Sequence, residues 1–145
     1  MNTNTTPLSP PVPSQQSALS AFPVSSLLVM VHGSPRPESN NDMYVVVEQV
    51  RRTGRFAAVE VGFMEVNEPT IPQALDRLVA AGADQIVALP YFLHTGNHVT
   101  DDLPGLLEAA QRRHPAVQIV MSDYLGHDPL IADVLHDRVQ AARVG

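Results

Sequence analysis

The chain contains no cysteine and no lysine. Without cysteine it can form no disulfide, no thiol nucleophile and no Cys-type zinc site. Any metal must then be held by imidazole, carboxylate or other oxygen donors, a set that leaves an ion labile and is open to first-row transition metals. Without lysine, Schiff-base chemistry and the P-loop lysine are excluded. The 9 basic residues are all arginine, and against 15 acidic ones they leave a net charge of −6. An acidic chain without basic clusters is a poor nucleic-acid binder, because that affinity comes chiefly from neutralising phosphates. No apolar run approaches the length that spans a bilayer, so no membrane partner is expected either.

Charge is missing altogether from residues 1–25, which are rich in Pro, Ser, Thr and Asn. This stretch lacks the basic start and apolar centre of a signal peptide and the arginines of a transit peptide, so a cytoplasmic location is expected. It also has too little apolar surface to offset the cost of ordering, and reads as a disordered tail. The remaining residues, 26–145, suffice for one domain with a real core and are too few for two.

That remainder alternates strand-like and helix-like segments. Residues 27–31 are a buried apolar run ended by His32-Gly33-Ser34. A helix is predicted over 38–52, with Met43, Val46, Val47 and Val50 at helical spacing. Residues 57–64 form a second strand. The next helix opens at Thr70, where Thr70 and Gln73 make a capping box and Pro72 suits the first turn. Residues 85–89 are a third strand, leading to the stretch Leu89-Pro90-Tyr91-Phe92-Leu93-His94-Thr95-Gly96-Asn97-His98. Thr100 is predicted to cap a helix running to about His114, with Asp101 and Asp102 in its first turn. Residues 117–121 are a fourth strand, and Asp128-Pro129 starts a last helix through Ala142.

Continuous Val/Ile/Leu strands alternating with helices imply an α/β fold, a single parallel four-stranded sheet covered on both faces. Right-handed crossovers make it doubly wound and flavodoxin-related, with predicted order 2-1-3-4. Ligands bind such sheets outside the carboxyl ends of the strands, at the switch point between strands one and three. His32, Glu65, His94, His98, Tyr124 and His127 all follow strands and converge on that edge.

Each candidate has an ordinary reading beside the chemical one. His32 could simply cap its strand; Gly33 would let a ligand approach the backbone. Arg36 is a surface charge or a carboxylate fork. Glu65 is a loop carboxylate, or a base if Phe63, Met64 and Tyr91 enclose it and raise its pKa. His94 and His98 are four apart, but Gly96-Asn97 argues for a loop rather than one helix face. Asp101 and Asp102 are explained by the helix N-terminus, and His114 and His136 read as solvated.

The stretch from Pro90 through Gly96, His98, Val99 and Asp102 to Pro104 resembles the pattern P-x-F-L-x-x-G-x-H-V-x-x-D-[IL]-P of the class II chelatases, specifically the short CbiX-like sirohydrochlorin chelatases. Three more blocks match in order: His32-Gly33-Ser34, Gly62-Phe63-Met64-Glu65 with Pro69, and Leu125-Gly126-His127-Asp128-Pro129. The resemblance implies that His32 and His98 handle the metal and that Glu65 assists deprotonation. It implies Gly33, Ser34, Arg36, Tyr91, Phe92 and Gly96 as substrate contacts, with Arg36 one position later than in many relatives. His94 falls where the family does not generally keep histidine. The implied reaction is insertion of Co²⁺, Fe²⁺ or Ni²⁺ into sirohydrochlorin, the ion being substrate and no cofactor permanently bound. A homodimer facing across the tetrapyrrole is implied too. Two imidazoles and a carboxylate would make a handover site, since a full set of tight ligands would retain the ion. Sirohydrochlorin carries eight carboxylates, so an acidic chain must hold it through local donors such as Arg36, the Gly33 and Ser34 amides and helix N-termini. A non-catalytic metal or tetrapyrrole carrier is the alternative on the same residues. A receiver-like domain fits less well, because the first strand ends in His-Gly-Ser instead of an acidic cluster. Ser34 also lacks the G-x-S-x-G elbow of a hydrolase.

Overall fold

The computed structural model describes residues 24–143. The predicted tail therefore lies, but for its last two residues, outside the described residues. Strand β1 (Ser26–Val31) is buried along all but its last residue. It pairs in parallel with β2 (Val59–Phe63) on one side and with β3 (Gln85–Pro90) on the other. Strand β4 (Gln118–Met121) pairs with β3. The order is β2-β1-β3-β4, as the sequence predicts, and the chain reverses its direction of travel between β1 and β3.

Helix α1 (Asn41–Arg52) follows a short 3₁₀ turn, Pro37–Asn40. Its Met43 and Val47 pack on Leu27, Val29, Val59, Val61 and Phe63. Val46, predicted for the same stripe, is instead exposed. On the opposite face, α2 (Ile71–Ala80) and α3 (Leu103–Arg113) cover Leu28, Met30, Ile86 and Ala88. Burying one such side chain contributes roughly 1.5–3 kcal/mol. The Thr70–Gln73 capping box is formed reciprocally: Gln73 N–H donates to Thr70 Oγ1 and Thr70 N–H to Gln73 Oε1. Gly62 permits the close seating of α2, since a Cβ there would lie 2.7 Å from the Ile71 Cα. His114 is not solvated as expected; its Nε2 lies 2.8 Å from Asp76, which ties α3 to α2.

Helix α4 (Pro129–Ala142) begins where predicted, with Asp128 accepting from the Leu130 N–H. It buries none of its residues. Leu130, Val134, Leu135 and Val139 all stand in solvent, Leu130 at 70% exposure. On the α1 side of the sheet, Val120 of β4 is also exposed, in register with half-buried Val87 of β3. Among the described residues no helix lies over that half of the face.

Candidate functional site

The ladder between β1 and β2 continues past both strand ends. Met64 N–H donates to Val31 O at 2.8 Å, and Glu65 N–H donates to His32 O at 3.2 Å. Backbone pairing thus sets His32 beside Glu65, and their side chains meet with His32 Nε2 2.8 Å from Glu65 Oε1. The other ring nitrogen, Nδ1, lies 3.1 Å from the Gly33 carbonyl oxygen. Gly33 has φ +102°, and a Cβ there would sit 2.1 Å from the Glu65 carbonyl oxygen. Only glycine fits between these two loops. Asn67 completes the joint: its Oδ1 accepts from Ser34 N–H at 2.7 Å, and its N–H donates to Glu65 O at 2.8 Å. The Ser34 amide expected to face substrate is therefore committed to Asn67. Nothing in the sequence pattern signals that bond. Between Glu65 and Asn67, Val66 is held at φ 70°, a conformation that costs a β-branched residue roughly 1–2 kcal/mol.

His98 arrives from β3 by a different device. The expected loop with a cap at Thr100 is a helical start instead. Thr100 directs both its N–H and its hydroxyl to the Gly96 carbonyl, at 2.9 and 2.8 Å, so it sits inside the helix rather than capping it. Residues His98–Asp102 make a π turn, closed by Leu103 N–H donating to His98 O. Such turns recur at functional sites because they re-aim side chains. Here His98 and Asp102 meet, with Nδ1 2.8 Å from Oδ2. The i,i+4 spacing of His and Asp could have revealed the pair, had Gly96-Asn97 not argued for a loop.

The two histidines come together. Their ring centres are 5.2 Å apart, with the planes tilted by 56°. Two imidazoles sharing one ion at a tetrahedral angle, each with a metal–nitrogen bond of about 2.1 Å, place their ring centres roughly 5 Å apart. The His98 Nε2 has no partner among the described residues, whereas both nitrogens of His32 face acceptors. Among the described residues no three His, Cys, Asp or Glu side chains converge to hold an ion. The site is open, with His32, Glu65 and His98 side chains 46%, 58% and 50% exposed. The apolar enclosure expected for Glu65 is absent, because Phe63 turns into the α1-side core.

The other candidates scatter around this ledge. Tyr91 packs with the α1-side cluster and Phe92 with the α2/α3 side, so the two rings straddle the sheet instead of forming one wall. Burial, and then the Asp42 charge, push the Tyr91 phenol above its ordinary value, which keeps it a neutral hydroxyl. Arg36 is exposed and makes no ion pair among the described residues. Gly96 is exposed at the start of the π turn, and His94 beside it bonds to neither His32 nor His98. Beyond β4 a hollow of about 360 Å³ is lined by Asp123, Tyr124, Leu125, His127, Asp128 and Pro129. None of His32, Glu65 or His98 lines it.

The profile of the CbiX family matches residues 26–142, a span holding every element described above. The chain belongs to the CbiX family. This CbiX chain is 31% identical to the sirohydrochlorin cobaltochelatase of Methanococcus aeolicus, over 81% of the chain and 99% of that protein. It is 32% identical to the enzyme of the same name from Methanocaldococcus jannaschii, over 79% and 97%. Among solved structures, a putative cobalamin-biosynthesis CbiX protein from Marinobacter aquaeolei shares the fold at a TM-score of 0.70, with 23% identity over 81% of this chain and 96% of that one. The sirohydrochlorin chelatase SirB from Bacillus subtilis, solved with cobalt, shares it at 0.77 and 24% identity; this CbiX chain covers 50% of it. At these identities the solved structures establish the architecture, a four-stranded parallel α/β lobe.

Proposed function

We propose that this protein is a chelatase, a lyase that inserts a divalent metal ion into sirohydrochlorin on the way to cobalamin or sirohaem. The observation that carries this reading is the meeting of His32 and His98 at one sheet edge with Glu65 against one of them. Insertion must remove two pyrrole N–H protons and deliver one M²⁺. An ion entering between the rings takes the His98 Nε2 lone pair and competes with Glu65 for His32 Nε2. As the ion takes Nε2, the neutral His32 ring exchanges its hydrogen to Nδ1, where the Gly33 carbonyl accepts it, and the Glu65 carboxylate so released accepts the first pyrrole proton. As the ion passes to the macrocycle nitrogens, the imidazole it leaves accepts the second. Two ligands suit this exchange, because a third and fourth would hold the ion back. Arg36 is the local donor for substrate carboxylates. The names of the curated relatives favour Co²⁺; Fe²⁺ and Ni²⁺ suit imidazole as well.

The working form in this reading is a homodimer in the cytoplasm, built from lobes spanning residues 26–145. Support comes from the one-walled, half-exposed site and from the unpartnered apolar stripe of α4, which a second copy would cover by the isologous pairing commonest among oligomers. No helix among the described residues is long and apolar enough to cross a membrane, and without cysteine the chain needs no oxidising compartment.

The test is anaerobic absorbance of sirohydrochlorin with Co²⁺, Fe²⁺ or Ni²⁺, with and without protein, repeated with His98→Ala. Insertion faster than the spontaneous rate, lost in a variant of unchanged melting temperature, is expected. A macrocycle spectrum shifted by binding without faster insertion would mean a carrier. Unchanged turnover in His98→Ala would remove the assignment.

A further inference from the structure

The two histidines are not equivalent, and the difference lies in Asp102. At the start of a helix an aspartate has a ready electrostatic explanation, favourable negative charge near the unpaired N–H groups. That explanation covers Asp101 equally, yet Asp101 makes no side-chain bond among the described residues, while Asp102 reaches the His98 ring at 2.8 Å. Nor does the Asp102 carboxylate cap the backbone; it accepts no bond from the N–H groups of α3. Its oxygen is spent on the imidazole alone. The π turn carries the pair at i,i+4 spacing at the helix entrance.

A ring nitrogen facing a carboxylate carries the hydrogen, which leaves the lone pair on the other nitrogen. His98 therefore presents Nε2 as a ready ligand. His32 has an acceptor at each nitrogen, Gly33 O and Glu65 Oε1, and cannot receive an ion until the Glu65 contact is exchanged. We infer that Asp102 is a positioning residue that fixes the His98 tautomer and ring orientation, so that a divalent ion is captured by His98 first and reaches His32 second. This rests on the proposed passage of metal through the imidazole pair. It makes the order of capture a property of the π turn.

The experiment measures Co²⁺ binding to the full-length protein without macrocycle, by calorimetry and by visible Co²⁺ absorption, in wild type, Asp102→Asn and Asp102→Leu. Insertion kinetics are followed in parallel. Asparagine keeps an acceptor oxygen of the same reach but loses the charge; leucine loses both. The Leu variant is expected to bind Co²⁺ about 10–100-fold more weakly, as for other outer partners of metal-ligating histidines. Its KM for the ion should rise more than its kcat falls, and the Asn variant should recover most of the affinity. Equal losses in both variants would assign the effect to charge at the helix start and overturn the inference, as would wild-type affinity in the Leu variant. If wild type binds no Co²⁺ and accelerates no insertion, the chelatase reading itself falls, and the inference with it.

Discussion

A single methyl group at residue 33 should disable the site without touching a titratable side chain. The Cβ of Gly33→Ala would lie 2.1 Å from the Glu65 carbonyl oxygen and 3.1 Å from Asn67 Oδ1, where ordinary contact begins at 3.4 Å. One of the two loops must then withdraw by roughly 1 Å, since neither backbone is compressible. The neighbour at closest range is backbone, so a rotamer change cannot relieve the overlap. Alanine at φ +102° adds about 1–3 kcal/mol of conformational cost. A melting temperature lower by several degrees follows for a chain of this size. The retreat acts directly on the His32–Glu65 contact, and a displacement of about 1 Å at a positioning contact can cost on the order of 10²-fold in rate. Differential scanning fluorimetry and initial rates of metal insertion measure both effects. A Gly33→Ala protein with wild-type melting temperature and wild-type rate would refute the reasoning, because the loops would then not be locked as described.

Two further outcomes are expected. The Asp76 carboxyl is held below its ordinary value first by the hydrogen bond from His114, with burial opposing and Arg113 adding to the lowering. Its stabilising contribution is therefore complete above the ordinary carboxylate range and is lost as pH falls through the lower folded value. Asp76→Asn should melt slightly lower than wild type at neutral pH, the effect being small for so exposed a group, and the two melting curves should converge in strong acid; a gap that persists there would contradict this. Leu135→Asp, on the exposed stripe of α4, should shift the mass found by light scattering from dimer to monomer, and a wild type already monomeric at micromolar concentration would rule out the pairing.

Most of the fold is legible in the residues because its signals are local. The buried run of β1, the Thr70–Gln73 box and the Asp128 cap each announce themselves within a few positions, and chirality fixes how parallel strands can connect. Convergence of His32, Glu65 and His98 follows from that topology. What stays hidden depends on bonds that periodicity does not encode. A π turn is an i−5 hydrogen bond, invisible to a 3.6-residue pattern, and Gly96-Asn97 disguises it further. The Asn67–Ser34 bond joins two loops with no shared motif. Tyr91 and Phe92 look like one wall in sequence, yet strand alternation sends successive residues to opposite faces. The last helix is predicted at its observed position, and only the structure shows that it buries none of its side chains among the described residues.

His32 and His98 stand far apart in the sequence and meet only once β1 has paired with β3. The denatured chain offers isolated imidazoles, with no cysteine to help them. An ion seated between the two rings, as proposed, would therefore bind the native state almost alone. By mass action, occupancy at 100 times the dissociation constant would add about 2.7 kcal/mol to the unfolding free energy. On the proposed function, the central strand that organises the sheet would link metal supply to the survival of the folded protein. A cell short of the ion would hold a less stable enzyme as well as an idle one.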